Sequence, residues 1–261
     1  MSTKWVFDQE HYEALNGARE AVVRKLIAEQ AQSLDLKTAV DVGCGLGHFS
    51  SVLSSLGLKV TGVDARKENV EEARRRFPEI EFGVLDAEQC TSESLGRFDV
   101  VLCLGLIYHL ENPFRVIRNL AAMSARLIVL EGIVYPSSEP IMSLLDENTL
   151  DDQGLNYVAF YPTESCIVRM LSRSGFVNCY LPAPMPEHSH YGFQPNGFRI
   201  RSMVVGSPEP LASGVLNTYC DPAGERTPWS MPPLYAQGGV WGKVQRMVGR
   251  KLQRRINARK S

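Results

Sequence analysis

No apolar run in this 261-residue chain approaches the roughly 20 residues that a membrane span requires. The opening residues carry no short apolar export segment, so a cytoplasmic location is expected. The six cysteines (Cys44, Cys90, Cys103, Cys166, Cys179, Cys220) are scattered, and none forms a Cys-x-x-Cys pair. That argues against a disulfide framework and against a zinc site. His188 and His190 are closely spaced, but no convergent carboxylates accompany them in sequence, so no metal is expected. Acid is missing from one region altogether. Beyond Glu225 there is none, while eight bases follow residue 240. Without those eight, 20 basic residues face 29 acidic ones, a balance of −9. An acidic body and a basic tail are the result.

What is present centres on residues 38–50, Thr-Ala-Val-Asp-Val-Gly-Cys-Gly-Leu-Gly-His-Phe-Ser. Ala39, Val40 and Val42 read as a buried strand, and Phe49, Val52, Leu53 and Leu56 recur at helical spacing. Between them Gly43, Gly45 and Gly47 make a turn in which backbone without Cβ can approach a ligand closely. His48 stands where a dinucleotide-binding turn would carry its third glycine. Asp41 beside the turn would repel a pyrophosphate but suits a cationic amine. S-adenosylmethionine has such an amine and no phosphate. The run Asp41-Val-Gly-Cys-Gly-Leu-Gly resembles the first motif of class I S-adenosylmethionine-dependent methyltransferases.

Along the chain, Lys59 to Asp64 reads as a second strand ending in an acid. Asp64 lies 19 residues after Gly45, the separation at which a carboxylate meets ribose hydroxyls in α/β nucleotide sites. A helix N-cap is the competing reading. Ile80 to Leu85 is a third strand, with Asp86-Ala87 at its end, where an Asx turn competes with a binding role. Phe98 to Leu104 is an apolar run suited to a central parallel strand. It opens into Gly105-Leu106-Ile107-Tyr108-His109-Leu110, and Asn112-Pro113 starts the next helix. Leu127 to Leu130 is a fifth strand, ending at Glu131. Residues 132–161 form an aromatic-rich insertion, long for a strand-to-helix connection. A helix after Pro162 and a strand pair over 176–181 and 199–206 complete the body. His188, His190 and Tyr191 lie in the loop between those two strands.

The chain thus reads as α/β, a doubly wound and mostly parallel sheet. The resemblance covers residues 38–206 and implies seven strands, the last antiparallel, in a Rossmann-like methyltransferase fold. It implies S-adenosylmethionine as cofactor. Asp41, Gly43 and Gly45 would flank its methionine part, Asp64 with the neighbouring Ala65 its ribose, and Asp86 and Ala87 its adenine. Leu104 would lie near the sulfonium. It also implies that residues 1–37 form a helical lid, with Trp5, His11 and Tyr12 over the cofactor and acceptor. The insertion, including Tyr157, is expected to cover the acceptor together with His188, His190 and Tyr191. His109 is the expected base, since imidazole titrates in the useful range and follows the fourth strand. Glu131 is the second choice.

The segment from Leu104 to Leu110 is similar to one in the tRNA wobble-uridine carboxymethyltransferase group, where the residue matching Tyr108 helps bind an extra carboxylate on the cofactor. Similar segments occur in methyltransferases acting on sugars and secondary metabolites. The expected activity is O-methylation of a small-molecule hydroxyl. The alternatives are tRNA wobble-uridine modification and a non-catalytic cofactor-binding subunit. Residues 207–261 read as a proline-rich connector and a basic amphipathic helix, with Trp241, Val244, Val248, Leu252 and Ile256 on one face. Such a helix suits an anionic surface, RNA, a partner protein or a second copy of the chain.

Overall fold

Strand-forming and helix-forming segments alternate along the chain, and the order of the strands in space fixes where a ligand can sit. The structure is a computed structural model that describes residues 5–147, 154, 155 and 157–220. The expected basic helix over 241–256 therefore lies outside the described residues. After a 3-10 turn at Val6–Asp8 comes α1 (Glu10–Ser33). Then follow β1 (Thr38–Val42), α2 (His48–Ser55), β2 (Lys59–Asp64), α3 (Lys67–Arg76) and β3 (Glu81–Val84). A short α4 (Ser92–Leu95) precedes β4 (Phe98–Leu104), α5 (Pro113–Met123) and β5 (Ser124–Ile133). The insertion folds as a hairpin of β6 (Met142–Asp146) and β7 (Val158–Pro162). Finally come α6 (Glu164–Arg173), β8 (Asn178–Pro182), β9 (Arg201–Ser207) and β10 (Leu216–Thr218).

The main sheet runs β10-β8-β9-β5-β4-β1-β2-β3. β1 pairs in parallel with β2 and β4, β2 with β3, and β4 with β5. β9 lies antiparallel between β5 and β8. These are the seven expected strands. β10 adds an eighth, antiparallel on the edge of β8, from a stretch whose prolines read as connector.

Both faces of the sheet are covered. Ala39, Leu102, Leu127 and Met203 face α1 and α2 through Leu26, Ile27, Val52 and Leu53. Val40, Val101, Ile128 and Val204 face α5 and α6 through Ile117, Leu120, Ile167 and Leu171. Burial on both sides explains the unbroken apolar strands. The chain leaves β1 toward β2 and β3 in one direction and then returns to place β4 and β5 on the other. The order reverses between β1 and β4, and at such a switch point the loops after the strands part to leave a crevice.

Candidate active site

A cavity of about 1100 Å³ occupies that crevice. Its size is at the top of the range for small-molecule sites. The glycine turn forms one wall. Gly43, Gly45 and Gly47 all take positive φ, at 77°, 53° and 87°. A Cβ on Gly43 would lie 2.7 Å from Leu106, and one on Gly47 would lie 2.9 Å from Phe82. The backbone amides of Gly43 and Cys44 both donate to the Val63 carbonyl, at 2.8 and 3.0 Å, which ties the turn to β2.

At the end of β2 the Asp64 carboxylate accepts from the Gly45 amide and the Arg66 amide, each at 2.9 Å. The N-cap of α3 is Arg66, so Asp64 is an acceptor in the turn ahead of the helix and not its cap. It braces the glycine turn and the turn into α3, and it also lines the cavity with Ala65. Asp86 and Ala87 line the cavity too, and Asp86 accepts from the Glu88 amide at 2.9 Å, so it is also an N-cap. A carboxylate at the wall, a glycine-rich turn and a second acid further along could hold a ribose diol and an adenine edge.

Asp41 corrects the sequence reading. In a strand successive side chains alternate, so Asp41 shares the face of Ala39 and points at α2 rather than along the strand. Its carboxylate accepts from Ser50 Oγ at 2.7 Å, and it is not part of the cavity wall. Burial away from water pushes its carboxyl up to about 7; the Ser50 hydrogen bond opposes this and the charge of Asp64 adds to it. The folded state thus keeps a proton that the unfolded chain releases near pH 4. Stability from this group is full below that pH and falls as pH rises toward 7. Asp41→Asn is expected to flatten this part of the pH profile and to melt above the natural protein at pH 8. Thermal melts across pH 4–8 check it, and parallel profiles for the two proteins would refute the assignment.

Leu104, Gly105, Tyr108 and His109 line the cavity past β4. His109 Nδ1 sits 2.5 Å from Glu147 Oε1, and the second oxygen of Glu147 accepts from the Gly154 amide at 2.9 Å. Both side chains are nearly buried, at 9% and 3% exposed. In this pairing the carboxylate accepts and the shared proton is assigned to Nδ1. The hairpin insertion thus delivers its carboxylate to the histidine after β4.

Glu131 is not a base. Its side chain is 0% exposed and off the cavity wall. Arg19 Nη2 lies 2.8 Å from Oε2, Arg201 Nε lies 2.7 Å from Oε1, and Tyr191 Oη donates to Oε1 at 2.7 Å. Burial alone would raise this carboxyl, but the charges of Arg19 and Arg201 outweigh it and hold it below its ordinary range. A strand-end acid surrounded by cations is a counter-ion.

Of the expected acceptor residues, Tyr12 reaches the cavity wall, beside Phe7 and Asp8. Asp8 is held there by a two-pronged pair with Arg76, at 2.8 and 2.7 Å. Trp5, Tyr157, His188, His190 and Tyr191 do not reach the wall. Tyr191 is consumed by Glu131 and by Arg19 Nε at 3.2 Å. His188 Nδ1 accepts from the His190 amide within its own turn. Tyr157 takes a left-handed φ of 55° and is 43% exposed. Among the described residues no group of three or more His, Cys, Asp or Glu is placed to hold a metal ion, and no helix is long and apolar enough to cross a membrane. Arg19, Arg201 and Glu147 were not legible as site residues.

The sequence matches the methyltransferase-domain family over residues 15–181. The chain belongs to this family, whose members are S-adenosylmethionine-dependent methyltransferases, and S-adenosylmethionine is its cofactor. A ubiquinone biosynthesis O-methyltransferase of Bordetella avium is 33% identical over 101 residues, which cover 37% of this chain and 42% of that protein. The chain thus spans about two fifths of that curated relative. Among solved structures, the N-terminal domain of EvdMO1, in the presence of S-adenosylhomocysteine and D-fucose, has a TM-score of 0.59 at 21% identity, covering 76% of this chain and 84% of that one. An amino pentose methyltransferase from Micromonospora echinaspora has a TM-score of 0.51 at 18% identity, covering 77% and 98%. These two likenesses bear on the fold.

Proposed function

We propose that this protein methylates a hydroxyl oxygen of a small molecule, such as a sugar or a secondary metabolite. The observation that carries the reading is His109 at the wall past β4, with Glu147 paired to its Nδ1. S-adenosylmethionine, when bound, supplies a methyl group on a positively charged sulfur. Asp64, Ala65, Asp86, Ala87 and Leu104 line the cavity, and in this reading the first four hold its nucleoside end and Leu104 lies near the sulfur. The rest of the task is positioning, which is worth roughly 7–11 kcal/mol for well-oriented reactants. A hydroxyl acceptor must also lose its proton as the new bond forms. His109 Nε2 takes that proton, while Glu147 fixes the tautomer and stabilises the imidazolium. The O-methyltransferase name of the Bordetella avium relative supports oxygen as the accepting atom. The D-fucose named with EvdMO1 supports a sugar-like acceptor.

His109→Ala is expected to lower kcat about 100-fold, with the affinity for S-adenosylmethionine little changed. Glu147→Gln is expected to lower kcat about tenfold at unchanged KM for the cofactor, with Glu147→Asp restoring part of it. Mass-spectrometric detection of methyl transfer across a panel of hydroxylated sugars and phenols provides the assay. Undiminished turnover in His109→Ala would remove it as the base. Transfer to amines but not hydroxyls would overturn the oxygen assignment.

A further inference from the structure

Arg19 and Arg201 converge on the same point of the cavity from opposite ends of the chain. A Cβ on Gly105 would lie 3.7 Å from Arg19 Nη2 and 3.8 Å from Arg201 Nη2. Both arginines line the cavity, and both are buried, at 5% and 6% exposed. They share one carboxylate, Glu131, so the cluster carries one positive charge more than it neutralises. Arg201 Nη2 also donates to Tyr108 Oη at 3.2 Å. Arg201 Nη1 has no hydrogen-bond partner among the described residues. A buried, incompletely neutralised guanidinium is costly unless a ligand completes it.

From the cluster's place in the sheet and its charge we infer that Arg19, Arg201 and Tyr108 form a subsite for a carboxylate borne by the methyl acceptor. The inference rests on the methyl-transfer reading and names the acceptor's class. Arg201 opens β9, opposite Ile133 of β5. β9 lies three strand spacings from β1, about 14 Å, on the side away from Asp64 and Asp86. The nucleoside half of the crevice is thus β1 to β3, and the cluster belongs to the other half. One excess positive charge matches a monoanion, whereas a phosphate dianion would remain half neutralised. The planar guanidinium fork suits two carboxylate oxygens. Tyr108 Oη, already accepting from Arg201, can turn its own proton toward the same anion.

The test uses the full chain saturated with S-adenosylhomocysteine and titrated with benzoate, benzamide, acetate and acetamide. Each acid is expected to bind at least about tenfold more tightly than its amide. Arg201→Gln should abolish that preference and leave S-adenosylhomocysteine affinity within about threefold, while Arg201→Lys retains part of it. If Arg201→Gln fails to fold, Arg201→Met, which leaves Arg19 and Glu131 as a balanced pair, serves in its place. Equal binding of acids and amides to the natural protein would overturn the inference. So would a fall of about tenfold or more in S-adenosylhomocysteine affinity in Arg201→Gln, which would give the arginines to the cofactor's own carboxylate. A comparable preference for carboxylated S-adenosylmethionine over the ordinary cofactor would overturn it too. Failure of S-adenosylhomocysteine to bind at all would instead sink the methyl-transfer reading, and the acid–amide comparison without it still decides the subsite.

Discussion

Replacing Glu131 by Ala is expected to destabilise the protein by about 3–5 kcal/mol and to lower Tm by about 10 °C. The cause is what remains rather than what is lost. Arg19 and Arg201 would stay buried with no carboxylate between them, and Tyr191 Oη would lose its acceptor. Removing the charges together should cost less, so Glu131→Leu combined with Arg201→Met is expected to melt above Glu131→Ala. The pH dependence has a definite sign. Glu131 has a lowered folded-state pKa, so its contribution is complete above the carboxyl's unfolded value of about 4.3 and is lost as pH falls through the folded one. Urea midpoints of the natural protein should therefore fall on acidification below about pH 5 more steeply than those of Glu131→Gln. Equal stability of Glu131→Ala and the natural protein at pH 7 would show that the cluster is solvated rather than buried.

The second large effect falls on binding. Asp64→Ala is expected to weaken S-adenosylmethionine about 100-fold, since two hydroxyl-to-carboxylate hydrogen bonds are each worth about 1.5–3 kcal/mol. Calorimetry measures it. Asp64 also receives the Gly45 and Arg66 amides, so part of the loss comes through a loosened turn. Asp64→Asn separates the two contributions, because its remaining oxygen can still accept from one amide. Unchanged affinity in Asp64→Ala would remove the ribose assignment. Preference for NAD over S-adenosylmethionine would overturn the reading of the whole turn.

The cavity wall built from the glycine turn and Asp64 was legible because its residues are local. Strand, glycine turn, helix and the acid after β2 occupy residues 38–64, and short-range periodicity places each of them. Asp41 fell inside that stretch and was still misplaced, because proximity in sequence to the turn concealed the alternation that sends it toward Ser50. The acceptor half was not legible, because its contacts are long-range. Glu147 meets His109 across 38 residues, and Arg201 meets Glu131 across 70. Nothing around Arg19, in a helix of mixed polar and apolar residues, distinguishes it from its exposed neighbours. The aromatic content of the insertion announced a cover, and Tyr161 of β7 does line the cavity; the Glu147 carboxylate behind His109 was the part that only the fold reveals.

The hairpin that leads into Glu147 is its own two-stranded sheet, and among the described residues its strands pair with each other and not with the main sheet. Lengthening or rewriting its outer end therefore disturbs no backbone ladder on which the glycine turn depends. Mutational drift and laboratory grafting meet the same division of labour. The glycine turn is locked into the main sheet, while part of the cover past β4 comes from a separate hairpin. A library randomised at Leu155 and Tyr161, the insertion side chains that line the cavity, would vary that wall while leaving the glycine turn and Asp64 untouched.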